Sequence, residues 1–190
     1  MTRILFVCHG NICRSPMAEY VMKHLVKEAG LEEEFQIASA ATSREELGSP
    51  VYPPSRKQLA EHGISCAGHM ACQLRNRDYD EYDLLIGMDY ANLRNMHRIC
   101  GGDFDDKMHL LLEYAGRPDS GTPGRQHAFP GRGGARERLK FSPQAETEKS
   151  GLCSDEVADP WYTRDFDAAW RDILAGCQGL LAQIIAQGKV

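Results

Sequence analysis

No stretch of the chain approaches the roughly 18 consecutive apolar residues that a membrane-spanning helix needs, and no apolar heptad repeats along it. Transmembrane and coiled-coil readings are excluded on those grounds, and the glycines follow no three-residue period that would suggest collagen. An excess of positive charge is also missing: 22 lysines and arginines face 27 acidic side chains, for a net charge of -5. Such a surface is not built for a phosphate backbone, so no nucleic-acid partner is expected, although a local anion site stays open. Nor do the cysteines form a disulfide framework. Seven of them, an odd number in 190 residues, fit a reduced compartment. Residues 1–8 carry one arginine and a short apolar run with no small-residue cleavage site after it, and read as a strand rather than a signal peptide. The cytoplasm is the expected location, with no membrane contact. What the chain does have is 42% apolar and 26% charged residues, the make-up of one globular domain burying about 70% of its unfolded surface.

Residues 3–8, Arg-Ile-Leu-Phe-Val-Cys, form a continuous apolar run of the kind found in fully buried parallel strands. After a turn at His9, Gly10 and Asn11, Ser15 and Pro16 supply a helix cap and a proline for the first helical position. That helix puts Ala18, Val21, Met22 and Leu25 on one face and stops at Gly30. Further strands are predicted over 36–42, 83–88 and 107–111, and helices over 54–62, 90–99 and 165–187. In the last helix Phe166, Trp170, Ile173, Leu174, Cys177, Leu180, Leu181, Ile184 and Ile185 recur at helical spacing, and Trp170 and Met88 are expected in the core. Strands alternating with helices predict a three-layer α/β fold, a four-stranded parallel sheet flanked by helices and flavodoxin-like in appearance. In such folds the site lies beyond the C-terminal ends of the strands.

Residues 116–152 break the alternation. They hold seven glycines, four prolines and seven basic against four acidic side chains, a local charge of +3 inside an otherwise acidic chain. So long a structureless stretch is either functional or disordered, and the composition favours a mobile insertion in a single 1–190 domain over a folded subdomain.

Chemistry concentrates between the first strand and the first helix, at Cys8-His9-Gly10-Asn11-Ile12-Cys13-Arg14-Ser15. Cysteine followed six positions later by arginine has little specificity alone; its context supplies more. The cysteine ends a buried strand, the arginine precedes a capped helix, and a glycine permits a tight ring of backbone. Successive N–H groups at a helix N-terminus then make a pocket for an oxyanion such as phosphate. The same field favours thiolate at a cysteine so placed, and thiolate is the nucleophile. Arg14 is suited to grip two phosphate oxygens bidentately, and Ser15 to hydrogen-bond the sulfur as it leaves. Phosphoryl transfer to sulfur also needs an acid for the departing oxygen, and Asp159, in the turn Asp159-Pro160 beside Trp161 and Tyr162, is the candidate.

This colinear set resembles the low-molecular-weight protein tyrosine phosphatases: Cys8 through Pro16, Ser39-Ala-Ala-Thr-Ser43, Gly63-Ile64 with His69 and Gln73, Met88-Asp89 with Asn92-Leu93, and Asp159-Pro160-Trp161-Tyr162. The resemblance covers nearly all the chain outside 116–152. It implies a phosphotyrosine phosphatase I-like fold, with Cys8 as nucleophile, Arg14 as phosphate clamp and Asp159 as general acid that then activates water. His9, Gly10, Asn11, Ile12, Cys13 and Ser15 complete the phosphate loop, and Asn11, Ser15, Ser39 and His69 form a network that holds its shape. No metal and no cofactor is implied. The substrates implied are phosphotyrosine proteins or small aryl phosphates, met in a cleft with Glu45, Trp161 and Tyr162.

Relatives acting on phosphoarginine carry threonine at the place of Ile12, so isoleucine favours phosphotyrosine. His9 departs from the leucine or small residue common there, and Glu45 replaces an aromatic. An acid at the mouth is expected to disfavour acidic phosphopeptides and favour basic or small ones. Cys13 is read either as a redox partner that traps oxidised Cys8 or as a buried space-filling thiol. Cys66 and Cys72 are too far apart for a zinc pair, and His69 between them is better explained by the loop network. The rival readings are an arsenate reductase-like enzyme, against which the Asp159 turn argues, and an inactive phosphopeptide-binding module. A monomer is expected, with weak dimerisation left open.

Overall fold

The computed structural model describes residues 1–116 and 155–188. All but the first residue of the predicted insertion 116–152, and Cys153 with it, lie outside the described residues. Four strands, β1 (Thr2–Cys8), β2 (Phe35–Ala41), β3 (Leu84–Gly87) and β4 (Met108–Leu110), form one sheet in the order β2-β1-β3-β4. Every pairing is parallel, with Cys8 beside Ala41 and Val7 beside Gly87 at the same end. The α/β fold with a four-stranded parallel sheet is therefore as expected.

Alternation along the strands divides the core. Ile4, Phe6 and Cys8 of β1 join Leu84 and Ile86 of β3 in a cluster with α1 (Arg14–Glu28), α2 (Pro53–Glu61) and α6 (Phe166–Ala186). Leu5, Val7 and Leu85 face the other way, toward α3 (Asp78–Glu81) and α4 (Tyr90–Cys100). The helix α5 (Pro160–Thr163) leads into α6. Met88 and Trp170 are buried as predicted, the latter with its indole stacked at 4.0 Å on the imidazole of His62. Ile185 is exposed, against expectation, because its neighbour Ile184 takes the inward position. Close approach explains two glycines of α6. A Cβ at Gly176 would come within 2.5 Å of Leu111 Cγ, and one at Gly179 would overlap the carbonyl of Tyr114.

Helix α1 starts earlier than its cap signal suggests. Its N-cap is Cys13, whose side chain makes no capping bond, and Ser15 lies inside the first turn with Pro16. Proline is harmless there because first-turn N–H groups have no intrahelical acceptor. Ser15 is not a cap because its hydroxyl is used elsewhere, as shown below. Two single-turn helices, α3 and α5, and the 3-10 turns Glu32–Glu34 and Leu111–Glu113 have no counterpart among the predicted elements. Among the described residues, no helix is long and apolar enough to cross a membrane.

Candidate active site

The loop from β1 into α1 is held from outside by its carbonyls. Cys8 O accepts from Thr42 N at 2.9 Å, His9 O from Ser43 N at 2.9 Å, Asn11 O from His69 Nε2 at 2.9 Å, Ile12 O from Tyr52 N at 2.8 Å and Cys13 O from Met17 N at 3.2 Å. In a planar trans peptide the next residue's N–H points opposite to the carbonyl. Outward carbonyls therefore turn the N–H groups of His9, Gly10, Ile12, Cys13 and Arg14 to the concave side, where they suit a tetrahedral oxyanion. The residue in the left-handed region is Asn11 (φ 56), not Gly10, and asparagine is among the few side chains that tolerate it. At Gly10 φ is not positive and a Cβ would meet only side chains, the nearest Glu46 Cγ at 3.4 Å, so neither backbone nor packing demands glycine there.

Every polar group of the fully buried Asn11 has a partner. Its N–H points at Cys8 Sγ (3.3 Å), its Nδ2 donates to Ser15 Oγ (2.9 Å) and Ser39 Oγ (2.8 Å), and its Oδ1 accepts from Cys72 N (3.0 Å). Since Ser15 Oγ accepts from Asn11, its own hydrogen is available to Cys8 Sγ at 3.0 Å. Two donors and the N-terminus of α1 thus stabilise negative charge on the sulfur. Ser39 Oγ in turn donates to Glu19 Oε2 at 2.5 Å, and Lys23 Nζ bonds Glu19 Oε1 at 2.5 Å. Asn11, Ser15, Ser39 and His69 are therefore brought together, with Glu19 as their buried anchor.

Arg14 is 3% exposed and clasped by two carboxylates. Nη1 donates to Asp89 Oδ2 at 2.6 Å and Nη2 to Asp159 Oδ2 at 2.5 Å. Each carboxylate uses its other oxygen to cap a helix: Asp89 Oδ1 accepts from Asn92 N (2.6 Å) on α4, and Asp159 Oδ1 from Trp161 N (3.0 Å) on α5. Burial alone would lower the guanidinium's pKa, but negative charge at Cys8, Asp159 and Asp89 outweighs it and the net shift is upward. Asp159 is brought to the site by Val157, whose N–H bonds Met88 O at 2.8 Å just beyond β3.

These groups line a cavity of about 340 Å³ with Cys8, His9, Gly10, Ile12, Cys13 and Arg14 at its base and Glu45, Glu46, Asp89, Asp159, Trp161 and Tyr162 around it. Trp161 is braced by Tyr52 (centroids 5.4 Å apart), and Tyr162 is 83% exposed. The arrangement offers a nucleophilic sulfur, an oxyanion cradle, a guanidinium and a carboxylate around one space.

The sequence from residue 3 to 123 matches the family model described as low molecular weight phosphotyrosine protein phosphatase. The chain belongs to that family. It is 31% identical over 184 residues to the low molecular weight protein-tyrosine-phosphatase YfkJ of Bacillus subtilis, covering 97% of this chain and 96% of that one. The human low molecular weight phosphotyrosine protein phosphatase is 41% identical over 122 residues, 58% of this chain and 77% of that one. The crystal structure of YfkJ superposes with a TM-score of 0.76 at 30% identity, covering 98% and 96% of the two chains. That of a low molecular weight protein tyrosine phosphatase from Streptococcus pyogenes gives 0.69 at 29% identity over 97% and 93%. The chain is thus a hydrolase of this phosphatase family.

All the site residues expected from the sequence border the cavity or the network behind it. Four contributors went unassigned: Asp89, Glu19, Glu46 and Tyr52. Asp89 carried a signal, an aspartate at a helix start, and Glu19 another, a carboxylate four positions after Ser15 and four before Lys23 on one helix. Glu46 reaches the cleft from a loop and Tyr52 braces Trp161 from behind it, and neither carried a signal. His69 and Cys72, set aside as zinc ligands, are committed to Asn11 O and Ser39 O.

Proposed function

We propose that this chain hydrolyses phosphotyrosine monoesters, in proteins or as small aryl phosphates, through a phosphocysteine on Cys8. One observation carries the reading: Arg14 and Asp159, 145 residues apart, meet at 2.5 Å in the lining of a cavity that Cys8 also lines. The names of the relatives point to the same substrate.

Phosphate enters the loop and takes Nη2 of Arg14 from Asp159, which, released from the guanidinium, takes up a proton from solvent and faces the ester oxygen. Cys8 Sγ attacks phosphorus while the P–O bond to the aryl group breaks, and the proton on Asp159 passes to the departing phenolate oxygen. Loop N–H groups and Arg14 follow the charge on the equatorial oxygens. In the second step Asp159, now ionised, takes a proton from water as the water oxygen bonds phosphorus and the P–S bond breaks. Ser15 hydrogen-bonds the sulfur as it leaves as thiolate, and inorganic phosphate departs. The whole 1–190 chain acts as one domain in this reading, as a monomer in the cytoplasm, a setting supported by the six described cysteines being free thiols.

Steady-state hydrolysis of p-nitrophenyl phosphate tests the proposal. Cys8→Ser abolishes turnover, and Asp159→Ala lowers it by about 10²–10⁴-fold, the usual worth of a positioned acid. Full activity in Asp159→Ala would favour an arsenate reductase-like chemistry, and no activity in the wild type a binding module.

A further inference from the structure

We propose that His9 is a specificity-positioning residue that holds the Glu45 carboxylate at the mouth of the cavity, so that the cleft selects phosphotyrosine peptides with a cationic side chain next to the phosphotyrosine. The inference rests on the phosphatase reading above and adds a substrate class to it.

His9 follows the nucleophile directly, and its imidazole Nε2 lies 3.2 Å from Glu45 Oε2, joining the phosphate loop to the segment after β2. The backbone repeats the link, His9 O accepting from Ser43 N at 2.9 Å. A surface glutamate ordinarily ranges over many rotamers; this one is tethered over the cavity it lines. The tether does not enclose it, since the His9 and Glu45 side chains keep 56% and 74% of their exposure, so the carboxylate is open to a ligand. Glu46 adds a second negative charge on the same wall, its Oε2 fixed by Ser49 Oγ at 3.0 Å.

Among the described residues lining the cavity, the basic side chains are Arg14 and His9. Arg14 is buried and taken by Asp89, Asp159 and, on binding, the phosphate. A peptide residue on the Glu45 side of the phosphotyrosine therefore meets the accessible Glu45–Glu46 pair, while across the cavity the Arg164 guanidinium lies over the Trp161 ring. A lysine or arginine beside the phosphotyrosine is attracted there, and an aspartate or glutamate repelled. Exposed charge pairs of this kind are worth about 2- to 5-fold in an equilibrium or in kcat/KM.

The test uses two phosphotyrosine peptides that differ only in carrying lysine or glutamate next to the phosphotyrosine, at low salt. The readout is the ratio of their kcat/KM values within each protein, which cancels general effects of a substitution on the loop. The wild type favours the lysine peptide by about 5-fold or more, mostly through KM, and added salt of about 0.5 M shrinks the ratio. Glu45→Gln lowers the ratio about 2- to 5-fold. His9→Leu lowers it as well by releasing Glu45, whereas His9→Gln, which still donates to the carboxylate, keeps it. A wild-type ratio near one, or a ratio unmoved by Glu45→Gln or His9→Leu, overturns the proposal while p-nitrophenyl phosphate turnover leaves the phosphatase reading standing. Absence of that turnover in the wild type overturns both.

Discussion

Asp89→Asn isolates one carboxylate oxygen at the centre of the site. The aspartate serves two donors at once, Asn92 N at 2.6 Å and Arg14 Nη1 at 2.6 Å. Asparagine has the same shape and is an equally good N-cap, but its amide has one oxygen for two donors. With the oxygen on Asn92, its NH₂ faces Nη1 donor to donor; with the amide flipped, the helix cap is lost. Either way one donor loses its acceptor, the Arg14 guanidinium in the first case and the Asn92 N–H in the second, a penalty of about 1–3 kcal/mol. Placed wholly on the positioning of Arg14 this is a loss of about 5- to 150-fold in kcat/KM, and placed wholly on folding it lowers Tm by about 2–12 °C for a chain of this size. Because Arg14 is shared with Asp159, which holds it from the other side, the activity loss is expected in the middle of that range with α4 intact. Kinetics on p-nitrophenyl phosphate beside a thermal melt would measure both parts. An Asp89→Asn protein within twofold of wild type in kcat/KM and unchanged in Tm would refute the view that Asp89 positions the arginine.

Gly179→Ala forces a Cβ into the Tyr114 carbonyl, which cannot swing aside as a side chain would, so a loss of at least about 1–3 kcal/mol is expected. An unchanged urea midpoint would reject that packing. Cys13 gives a pH dependence: burial pushes its thiol from 9.0 up to about 12, although the neighbouring Ser55 hydroxyl pulls the other way. The folded chain therefore holds a proton that the unfolded chain loses above about pH 9, and stability falls as pH rises from there toward 12, by up to about 1.4 kcal/mol per unit. Cys13→Ser should flatten that slope, and equal slopes would contradict it. The same protonated thiol is a slow attacker, so a Cys8–Cys13 disulfide after mild peroxide should form about tenfold faster per pH unit between 7 and 9. A flat rate by mass spectrometry would rule out Cys13 thiolate as the trap.

Much of this site was legible because its parts are local. Cysteine at a strand end, arginine at a helix start and a short loop between them lie within one βα unit, and chain connectivity alone brings them together. Asp159 was legible through its own turn chemistry. Ser15 was legible in one role and not in the other: its bond to the sulfur is as expected, but serine before proline is also an ordinary cap pattern, and a hydroxyl already engaged with Cys8 and Asn11 does not cap α1. Likewise the strained position fell on Asn11 rather than the adjacent glycine, because asparagine there can both adopt φ 56 and spend its amide on two serines. Sheet order is a different case. Strand alternation predicts a parallel sheet but does not by itself say that β1 runs between β2 and β3, which is what sets Asp89 beside Arg14. Glu46 and Tyr52 depend on where loops settle, and no period or motif records that.

The central claim is that the phosphoryl group passes through the sulfur of Cys8. Rapid mixing with p-nitrophenyl phosphate, followed by quenching and peptide mapping, measures it most directly. The account predicts a burst of one p-nitrophenolate per chain, with phosphate covalently held on the peptide that contains Cys8 and absent in Cys8→Ser. Phosphate released with no protein-bound stage, or a phosphoryl group found on another residue, would contradict it.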